Sequence, residues 1–213
     1  MSRNMSDLRR DYRQQPLREE DMSRDPIEQF AIWFDAAVDH GIEIPNAMVL
    51  ATSTPDGVPS ARYVLMKDFD AGGFVFYSHS VSAKGVQLGL NPRAALVFYW
   101  QPLHRQVRVE GSVTPVASEE ADDYFESRPY GSRVSVWVAP QSSAVKSREA
   151  MEARFQQIST QYPDTVPRPE TWVGYRVRPE RIEFWQGRED RMHDRLLYTR
   201  EGASAWHMQR LAP

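Results

Sequence analysis

The chain has 213 residues, a formal net charge of −3 at pH 7 and no cysteine. It is long enough to bury a full core, and the lack of cysteine excludes disulfides, thiolate metal sites and cysteine nucleophiles. The weak negative charge argues against general binding to nucleic acids, and no apolar run is long enough to span a membrane. The first residues, MSRNMSDLRRDY, lack the apolar core of a signal peptide, so we expect a cytoplasmic location.

The N-terminal segment, residues 1–24, is rich in arginine and acidic residues and poor in apolar ones. Such a composition cannot build a core, and it predicts either a disordered tail or a flexible arm that folds over a site. We therefore divide the chain into this arm and a single domain over residues 25–213. No internal repeat or low-complexity tract indicates a second domain.

The first predicted element is a helix that begins at Pro26. Asp25 is a suitable N-cap, Pro26 suits the first helical position, and Glu28 would complete a capping box. Gly41 would end the helix. Its apolar residues repeat at helical spacing, which predicts a scaffold helix that buries one face in the core.

Segments rich in aromatic and β-branched residues dominate the rest of the chain. They predict strands over 47–54, 58–69, 73–79, 94–101, 105–113, 172–178, 180–186, 194–199 and 204–211. Helices are predicted over 82–90, 118–127 and 147–161, with Ser118 and Ser147 as N-caps, and a proline-rich loop over 161–172. Because short strands predominate, we predict a mainly β fold, a β-barrel with peripheral α-helices.

Four short clusters of cations, hydroxyls and amides fall near the ends of predicted elements. They are ARYVLMK at 61–67, SHSVSAK at 78–84, YFESRPYGS at 124–132 and QSS at 141–143. Any one of them is typical of ordinary capping or turn chemistry. Together they favour a phosphorylated ligand, because N–H groups at a helix N-terminus and a nearby lysine form a natural phosphate site.

A further segment, EFWQGREDRMHDRLLY at 183–198, places arginines and a histidine next to a tryptophan. Taken alone, this charge run is typical of a solvated turn, since acidic residues balance its arginines. No P-loop, Rossmann fingerprint, zinc-protease or nucleophile-elbow motif occurs, and the histidines show no metal-ligand spacing. We therefore expect no metal site and no hydrolytic chemistry.

These motifs resemble the pyridoxine (pyridoxamine) 5′-phosphate oxidase family. The similar segments, in chain order, are LRRDY, ARYVLMKDFD, FYSHSVSAKG, YFESRPYGS, WVAPQSS, EFWQGREDRMHDR and the terminal RLAP. The resemblance implies a homodimeric flavoenzyme, an FMN-binding split β-barrel with FMN bound between the subunits. It also implies oxidation of pyridoxine or pyridoxamine 5′-phosphate to pyridoxal 5′-phosphate by O2, with release of H2O2.

The resemblance also implies which residues bind each ligand. The implied cofactor-binding residues are Arg62, Tyr63, Val64, Leu65, Met66, Lys67, Tyr77, Ser78, Lys84, Gln106, Gln141, Ser142, Trp185 and Arg195. The implied substrate-binding residues are Arg9, Arg10, Asp11, Tyr12, Lys67, Tyr124, Arg128, Ser132, Arg191, Met192 and His193. The segment from Arg9 to Tyr12 resembles one that closes over the active site.

Catalytic roles are implied for Arg191 and His193, which would steer the substrate and assist proton loss from its 4′ substituent. An alternating strand would place Arg191, His193 and Arg195 on one face. Asp190 and Asp194 would then face away from the ligands. The charge run would thus be one side of a ligand site.

One position departs from the family pattern. Members usually have Ser-Arg-Lys where this chain has Ser82-Ala83-Lys84, and that arginine helps to bind the FMN phosphate. We therefore expect weaker FMN binding, unless His79 or Arg93, the nearest cations in the sequence, compensates for the missing charge.

Two other functions stay open at this point. Another FMN-binding split-barrel protein, such as a flavin reductase or a general stress-type flavoprotein, would share the FMN clusters but lack YFESRPYGS and RMHDR together. A carrier of pyridoxal 5′-phosphate would bind the vitamer without turnover. For the oxidase we expect phosphorylated B6 vitamers and O2 as small-molecule partners and a second copy of the chain, with no nucleic acid and no membrane.

Overall fold

The computed structural model describes residues 16–202 and 205–213, in which strands predominate. The helices are α1 (Pro26–Asp39), α2 (Ala83–Leu90), α3 (Ser118–Ser127), α4 (Tyr130–Val136) and α5 (Arg148–Gln161). The strands are β1 (Ala47–Ser53), β2 (Pro59–Leu65), β3 (Asp68–Asp70), β4 (Gly73–His79), β5 (Arg93–Trp100), β6 (Arg105–Pro115), β7 (Trp172–Gln186), β8 (Asp194–Glu201) and β9 (Ala205–Leu211). Short 3-10 helices cover Glu19–Asp21, Gln101–Leu103 and Glu189–Arg191. The predicted mainly β fold with peripheral helices is confirmed.

The described strands form a nine-stranded sheet in the order β2-β1-β5-β6-β7-β4-β3, with β8 paired to β7 and β9 paired to β8. Strand β7 pairs with β4 along 172–177 and with β8 along 181–186, antiparallel in both cases. Pro179, which has no N–H to donate, lies between these two stretches. One long strand therefore replaces the two that were predicted over 172–178 and 180–186.

The first helix begins as predicted, but its capping box is different. Asp25 accepts a hydrogen bond from the Ile27 N–H at 2.7 Å. Glu28 accepts instead from the Ser23 hydroxyl at 2.8 Å, and that hydroxyl accepts from the Asp25 N–H at 3.1 Å. Ser23, and not Glu28 as predicted, therefore accepts the hydrogen bond from the Asp25 N–H.

Of the two other predicted caps, one is in the right place and one is not. Ser147 caps α5, as predicted, and α2 is capped by Ser82, which was predicted as the first residue of that helix. Ser118 is the first residue of α3, and the N-cap position belongs to Ala117, whose side chain has no oxygen. The prediction for Ser118 was therefore wrong.

The predicted strand over 58–69 is interrupted. Strand β2 ends at Leu65 and β3 begins at Asp68. Between them Met66 is buried, with 4% of its surface exposed, and the Lys67 N–H donates to the Val75 carbonyl at 2.8 Å. Lys67 is exposed and lies in the break between the two strands.

The chain divides into two compact units. Unit 1 holds the described residues of 16–49, 95–110, 179–202 and 205–213, and in its core the ring centroids of Phe30 and Phe98 are 4.9 Å apart. Unit 2 holds 50–94 and 111–178, and in its core the rings of Phe76 and Tyr175 stack at 5.3 Å. None of the helices in the described ranges is long and apolar enough to cross a membrane.

Within the predicted arm, the residues from Leu17 onward are anchored in unit 1. Leu17 is 8% exposed, its N–H donates to the Asp194 carboxylate at 3.1 Å, and its carbonyl accepts from Arg210 at 2.7 Å. Arg210 also donates to Asp194 at 2.6 Å and to Glu19 at 2.8 Å. The division into an arm over 1–24 and one domain over 25–213 stays a prediction.

Candidate functional site

Unit 2 contains a cavity of about 810 Å³ that brings most of the predicted site residues together. Its walls include the predicted cofactor-binding residues Arg62, Tyr63, Val64, Leu65, Lys67, Tyr77, Ser78, Lys84, Gln141 and Ser142. They also include the predicted substrate-binding residues Tyr124, Arg128 and Ser132. Met66 does not line the cavity, because its side chain is buried at the break between β2 and β3.

The start of α2 supplies one polar wall of the cavity. Lys84 Nζ donates to Gln141 Oε1 at 2.6 Å, and the Ser78 hydroxyl donates to the same oxygen at 2.9 Å. The pKa of Lys84 is lowered to about 8, mainly by burial and to a smaller extent by the nearby charge of Arg62. A lysine, hydroxyls and an amide at a helix N-terminus are suited to a phosphate group.

Arg62 reaches the cavity from β2 without a carboxylate partner among the described residues. Its Nη1 donates to the Leu50 carbonyl at 3.1 Å and to the Thr52 hydroxyl at 2.7 Å. These neutral acceptors orient the guanidinium and leave its positive charge uncompensated. The charge is therefore available to an anionic ligand in the cavity.

The predicted substrate-phosphate residues supply further cations. The guanidinium carbon of Arg128 lies 5.0 Å from the centroid of the Trp172 ring, and Arg128 Nη1 is buried without a hydrogen-bond partner in the described part of the chain. Lys67 Nζ lies 5.9 Å from the centroid of the Tyr124 ring. A buried N–H group without a partner is costly, so the site favours an anion that accepts from Arg128.

The predicted catalytic segment lies in unit 1, and its backbone is not an alternating strand. Asp190 and Arg191 belong to a 3-10 helix and have positive φ values of 52° and 62°. Strand β8 begins only at Asp194, so the prediction that one strand face carries Arg191, His193 and Arg195 was wrong. Non-glycine residues in this left-handed region are uncommon, and they cluster at functional sites.

His193 is held in a defined orientation. Its Nδ1 accepts a hydrogen bond from the Arg188 backbone N–H at 3.1 Å, and its ring centroid lies 4.8 Å from that of Trp185. Because Nδ1 is an acceptor, the neutral ring carries its proton on Nε2. Burial, followed by the charge of Arg191, lowers the pKa of His193 and so favours this neutral form.

The other predicted residues of unit 1 have separate environments. Arg195 donates to the Glu183 carboxylate and to the Ala212 carbonyl, the latter at 3.0 Å. Met192 is 68% exposed. The lining of the unit 2 cavity does not include six of the predicted residues: Gln106, Trp185, Arg191, Met192, His193 and Arg195. Arg9, Arg10, Asp11 and Tyr12 lie outside the described residues.

Trp172 is a cavity residue that had no predicted role. It lines the cavity with 4% of its surface exposed. The sequence contained only a weak sign of Trp172, an aromatic residue directly after a proline-rich loop. Its contact with Arg128 depends on a packing arrangement that no local pattern records.

The cavity fits a phosphorylated flavin. Lys84 and Arg62 supply positive charge, and Ser78 and Ser142 supply hydroxyl groups. The volume of about 810 Å³ lies within the range of roughly 300–1,000 Å³ that is usual for ligand sites. We therefore regard these side chains as chemically suited to hold FMN.

Comparison with known proteins agrees with this geometry. Residues 34–162 match the protein family described as pyridoxamine 5′-phosphate oxidase. Residues 172–213 match the pyridoxine 5′-phosphate oxidase C-terminal dimerisation region. The chain is 52% identical, over 99% of its own length and 97% of the relative's, to a pyridoxine/pyridoxamine 5′-phosphate oxidase of Rubrobacter xylanophilus. It is 50% identical to the protein of that name in Gloeothece citriformis, with both chains fully covered.

Two solved structures share the fold. The structure of PhzG from Burkholderia lata 383, in complex with tetrahydrophenazine-1-carboxylic acid, matches with a TM-score of 0.87 and 31% identity over 91% of this chain and 95% of that one. An FMN-binding protein of Nostoc punctiforme, related to pyridoxamine 5′-phosphate oxidase, matches with a TM-score of 0.73 and 19% identity over 90% and 100%. The predicted FMN-binding split β-barrel is thus confirmed, and the chain belongs to the pyridoxamine 5′-phosphate oxidase family.

Proposed function

We propose that this protein is an FMN-dependent oxidase that converts pyridoxine or pyridoxamine 5′-phosphate to pyridoxal 5′-phosphate, with O2 as the electron acceptor and H2O2 as a product. Its role would be vitamin B6 biosynthesis or salvage. The observation that carries the proposal is that one cavity of unit 2 has both predicted sets of phosphate-binding residues in its lining. The names of relatives about half identical over their full length support the same activity.

The first set would hold the cofactor. Lys84, Ser142 and Arg62 would bind the FMN phosphate, and Tyr77 and Gln141 would contact the rest of the molecule. When bound, FMN would supply the acceptor for the hydride of the substrate and pass the electrons on to O2. Gln106, Trp185 and Arg195 of unit 1 stay proposed as further cofactor contacts.

The second set would hold the substrate. Arg128, Lys67, Tyr124 and Ser132 would bind the substrate phosphate, and this anchor would fix the pyridine ring in one position. Arg191, Met192 and His193 would contact the reacting end. A His193 that is neutral and protonated on Nε2 would donate a hydrogen bond there, since its Nδ1 already accepts one. The roles of Arg9, Arg10, Asp11 and Tyr12 as a closing segment stay a prediction.

A homodimer is part of the proposal. The match of residues 172–213 to a dimerisation region supports it. Strand β2 lies at one end of the strand order and exposes 78% of Tyr63 and 41% of Leu65, apolar surface that a second copy would cover. Light scattering on the flavin-loaded protein is expected to give the mass of two chains, and a flavin-loaded monomer would contradict the proposal.

The decisive experiment measures O2 uptake and H2O2 release by the FMN-loaded protein. We expect turnover with pyridoxine 5′-phosphate and pyridoxamine 5′-phosphate, and weak turnover with unphosphorylated pyridoxine. Binding of pyridoxal 5′-phosphate without any O2 uptake would indicate a carrier. Oxidation of NADH or NADPH in the absence of a B6 vitamer would indicate a flavin reductase.

The similarity to PhzG supplies one alternative substrate class. A PhzG structure at 31% identity holds tetrahydrophenazine-1-carboxylic acid, a tricyclic carboxylate without phosphate. The same O2-uptake assay with that compound separates the two cases. The two cations Arg128 and Lys67 favour the phosphorylated substrate, because a phosphate carries more negative charge than a carboxylate and can accept from both.

A further inference from the structure

Three nearly parallel aromatic rings stack in the wall of the cavity. The ring centroids of Tyr77 and Tyr124 are 4.2 Å apart with an interplanar angle of 20°, and those of Tyr77 and Trp172 are 5.1 Å apart at 11°. Tyr124 and Trp172 lie 6.0 Å apart at 10°. All three residues line the cavity. We call them the aromatic stack.

Both cations proposed to bind the substrate phosphate rest on this stack. Arg128 lies over the ring of Trp172 at 5.0 Å, and Lys67 lies over the ring of Tyr124 at 5.9 Å. Both distances are within the range of about 6 Å in which a ring face attracts a cation. Within the described residues Arg128 forms no ion pair, and burial lowers its pKa. Aromatic faces, and not carboxylates, therefore hold these charges in place.

Two further contacts fix the stack. Gly174 lies opposite Tyr77 in the β4–β7 register, and a Cβ at Gly174 would stand 2.6 Å from Tyr77 Cε1. Arg168 donates to the Trp172 carbonyl at 2.9 Å and to the Asp122 carboxylate of α3 at 2.6 Å. The backbone of Trp172 is thereby fastened to the helix that precedes Arg128.

We propose that Trp172 is a positioning residue for the substrate phosphate, acting through Arg128. A carboxylate beside Arg128 would orient the guanidinium but would also neutralise it. The ring face of Trp172 orients Arg128 and leaves its full charge and its Nη1 group to the phosphate. This inference rests on the proposed function, since it assumes that Arg128 binds the phosphate of a B6 vitamer.

The test compares three substitutions at one position. Trp172→Phe keeps a ring face, whereas Trp172→Leu and Trp172→Met keep apolar bulk without one. We expect the Leu and Met variants to raise KM for pyridoxine 5′-phosphate by about 2- to 30-fold, the span of measured cation–π contributions, with kcat nearly unchanged. The Phe variant should stay close to wild type. Calorimetric titration with pyridoxal 5′-phosphate, which involves no turnover, should show weaker binding for the Leu and Met variants than for wild type and the Phe variant.

A double-substitution cycle separates positioning from a merely structural role. If Trp172 acts through Arg128, Trp172→Leu should add nothing to KM in an Arg128→Ala protein. Trp137→Leu is a matched control, because Trp137 packs on Tyr162 in another cluster and should leave KM unchanged. The Kd for FMN, read from flavin fluorescence, should be the same in wild type and in Trp172→Leu.

The outcomes distinguish this inference from the function on which it rests. If wild type does not oxidise the vitamer, or Arg128→Ala does not raise KM, the proposed function itself is wrong. If wild type oxidises the vitamer and Arg128→Ala raises KM, but the Leu and Met variants keep the wild-type KM, only the role of Trp172 is wrong. The role of Trp172 would also be overturned if Trp172→Leu raised KM further in the Arg128→Ala protein. The same holds if Trp172→Leu weakened FMN binding by the same factor by which it raises KM. Should Trp172→Leu fail to fold, the comparison of Trp172→Met with Trp172→Phe decides.

Discussion

Arg195 and Glu183 form a two-bond ion pair across the β7–β8 ladder. Arg195 Nε donates to Glu183 Oε1 and Arg195 Nη2 donates to Glu183 Oε2, each at 3.0 Å. The Glu183 side chain is 8% exposed, and Arg108 contacts the same carboxylate at 3.4 Å. The hydrogen bonds that Arg195 donates to Glu183 raise the pKa of Arg195. A bidentate pair fixes the plane of the guanidinium, so Arg195 is oriented before any ligand arrives.

Removal of the Glu183 charge should therefore affect both the fold and FMN binding. Glu183→Gln keeps the shape of the side chain but leaves Arg195 and Arg108 without their shared anion. We expect a loss of about 3 kcal/mol in the free energy of unfolding, the low end for broken buried pairs because both arginines are partly exposed. Urea unfolding of the apo-protein measures the loss, and an FMN titration should show weaker binding.

The matched control for Glu183 is Glu110. This carboxylate also bonds Arg108, at 2.6 Å, and Arg181 at 3.2 Å, but its side chain is 35% exposed. Glu110→Gln should cost less than about 1 kcal/mol, as for an exposed pair, and should leave the Kd for FMN unchanged. Equal effects of the two substitutions would show that Glu183 has no special relation to Arg195.

The affinity for FMN should fall as pH rises above 8. Burial, followed by Arg62, lowers the pKa of Lys84 to about 8 in the apo-protein, so this lysine loses its charge well below the usual pH. A charged hydrogen bond to phosphate is worth about 1.5–3 kcal/mol, so we expect Kd to rise about tenfold or more between roughly pH 7 and 9.5. Lys84→Met should bind weakly with little pH dependence. A flat wild-type profile would place the FMN phosphate elsewhere.

The same lysine should make the stability of the apo-protein depend on pH in the opposite direction. The folded pKa of about 8 lies below the ordinary lysine value of 10.5, so the unfolded chain holds more protons between these values. Stability should therefore rise as pH increases from about 8 to 10.5. Urea midpoints for wild type and Lys84→Met across this range measure the contribution of Lys84, which should vanish in the variant.

Restoring an arginine at Ala83 should tighten FMN binding. Ala83 is exposed and lines the cavity at the first turn of α2, so a long side chain has room there. His79 does not replace the missing charge, because burial and the charges of Lys84 and Arg128 lower its pKa and keep it neutral. We expect Ala83→Arg to lower the Kd for FMN by about tenfold or more. Ala83→Gln, which adds length without charge, should have little effect.

If Ala83→Arg fails to tighten binding, the charge is already supplied by another group, and the expectation of weaker binding was wrong. Arg93 is the other candidate from the sequence. The titration of apo-protein followed by flavin fluorescence is sensitive enough for either result, because the expected difference is at least about tenfold.

Two glycines of α2 should respond oppositely to the same substitution. A Cβ at Gly85 would collide with the backbone carbonyls of His79 and Ser80, whereas nothing lies within 4 Å of a Cβ at Gly89. Gly85→Ala should destabilise the protein by about 1–3 kcal/mol through overpacking. Gly89→Ala should stabilise it by up to about 1 kcal/mol, the helix-propensity gain. Thermal unfolding of the two variants measures the contrast, and similar shifts in Tm would contradict it.

Local rules predicted those parts of the fold that depend on neighbouring residues. The caps at Asp25 and Ser147 follow from side-chain oxygens that reach the next N–H groups. Helix α4 was not predicted, because Tyr130–Val136 contains glycine and β-branched residues with low helix propensity. It is stabilised by tertiary packing, since Val134 is fully buried in one cluster with Ile158 of α5.

In the candidate site, too, the contacts that depend on tertiary packing could not be predicted from local sequence. Family motifs indicated which side chains gather in the cavity, but not how they are held there. The pair of Arg195 with Glu183 depends on strand register, and the contact of Arg128 with Trp172 joins two distant segments. The expectation that an alternating strand places Arg191, His193 and Arg195 on one face was wrong, because the positive φ values at Asp190 and Arg191 occur without a glycine that would indicate them in the sequence.

The anchoring of Leu17 to Asp194, and of Ala212 to Arg195, has a practical consequence for handling the protein. Both ends of the described chain are tied to two consecutive residues of β8, directly after His193. A fusion partner attached directly after Pro213 would strain the contact between Ala212 and Arg195 and disturb the neighbouring histidine. The exposed turn that joins β1 to β2 is a better point for attaching a label or a surface linker, because Gly57 has no atoms within 4 Å of its Cβ position.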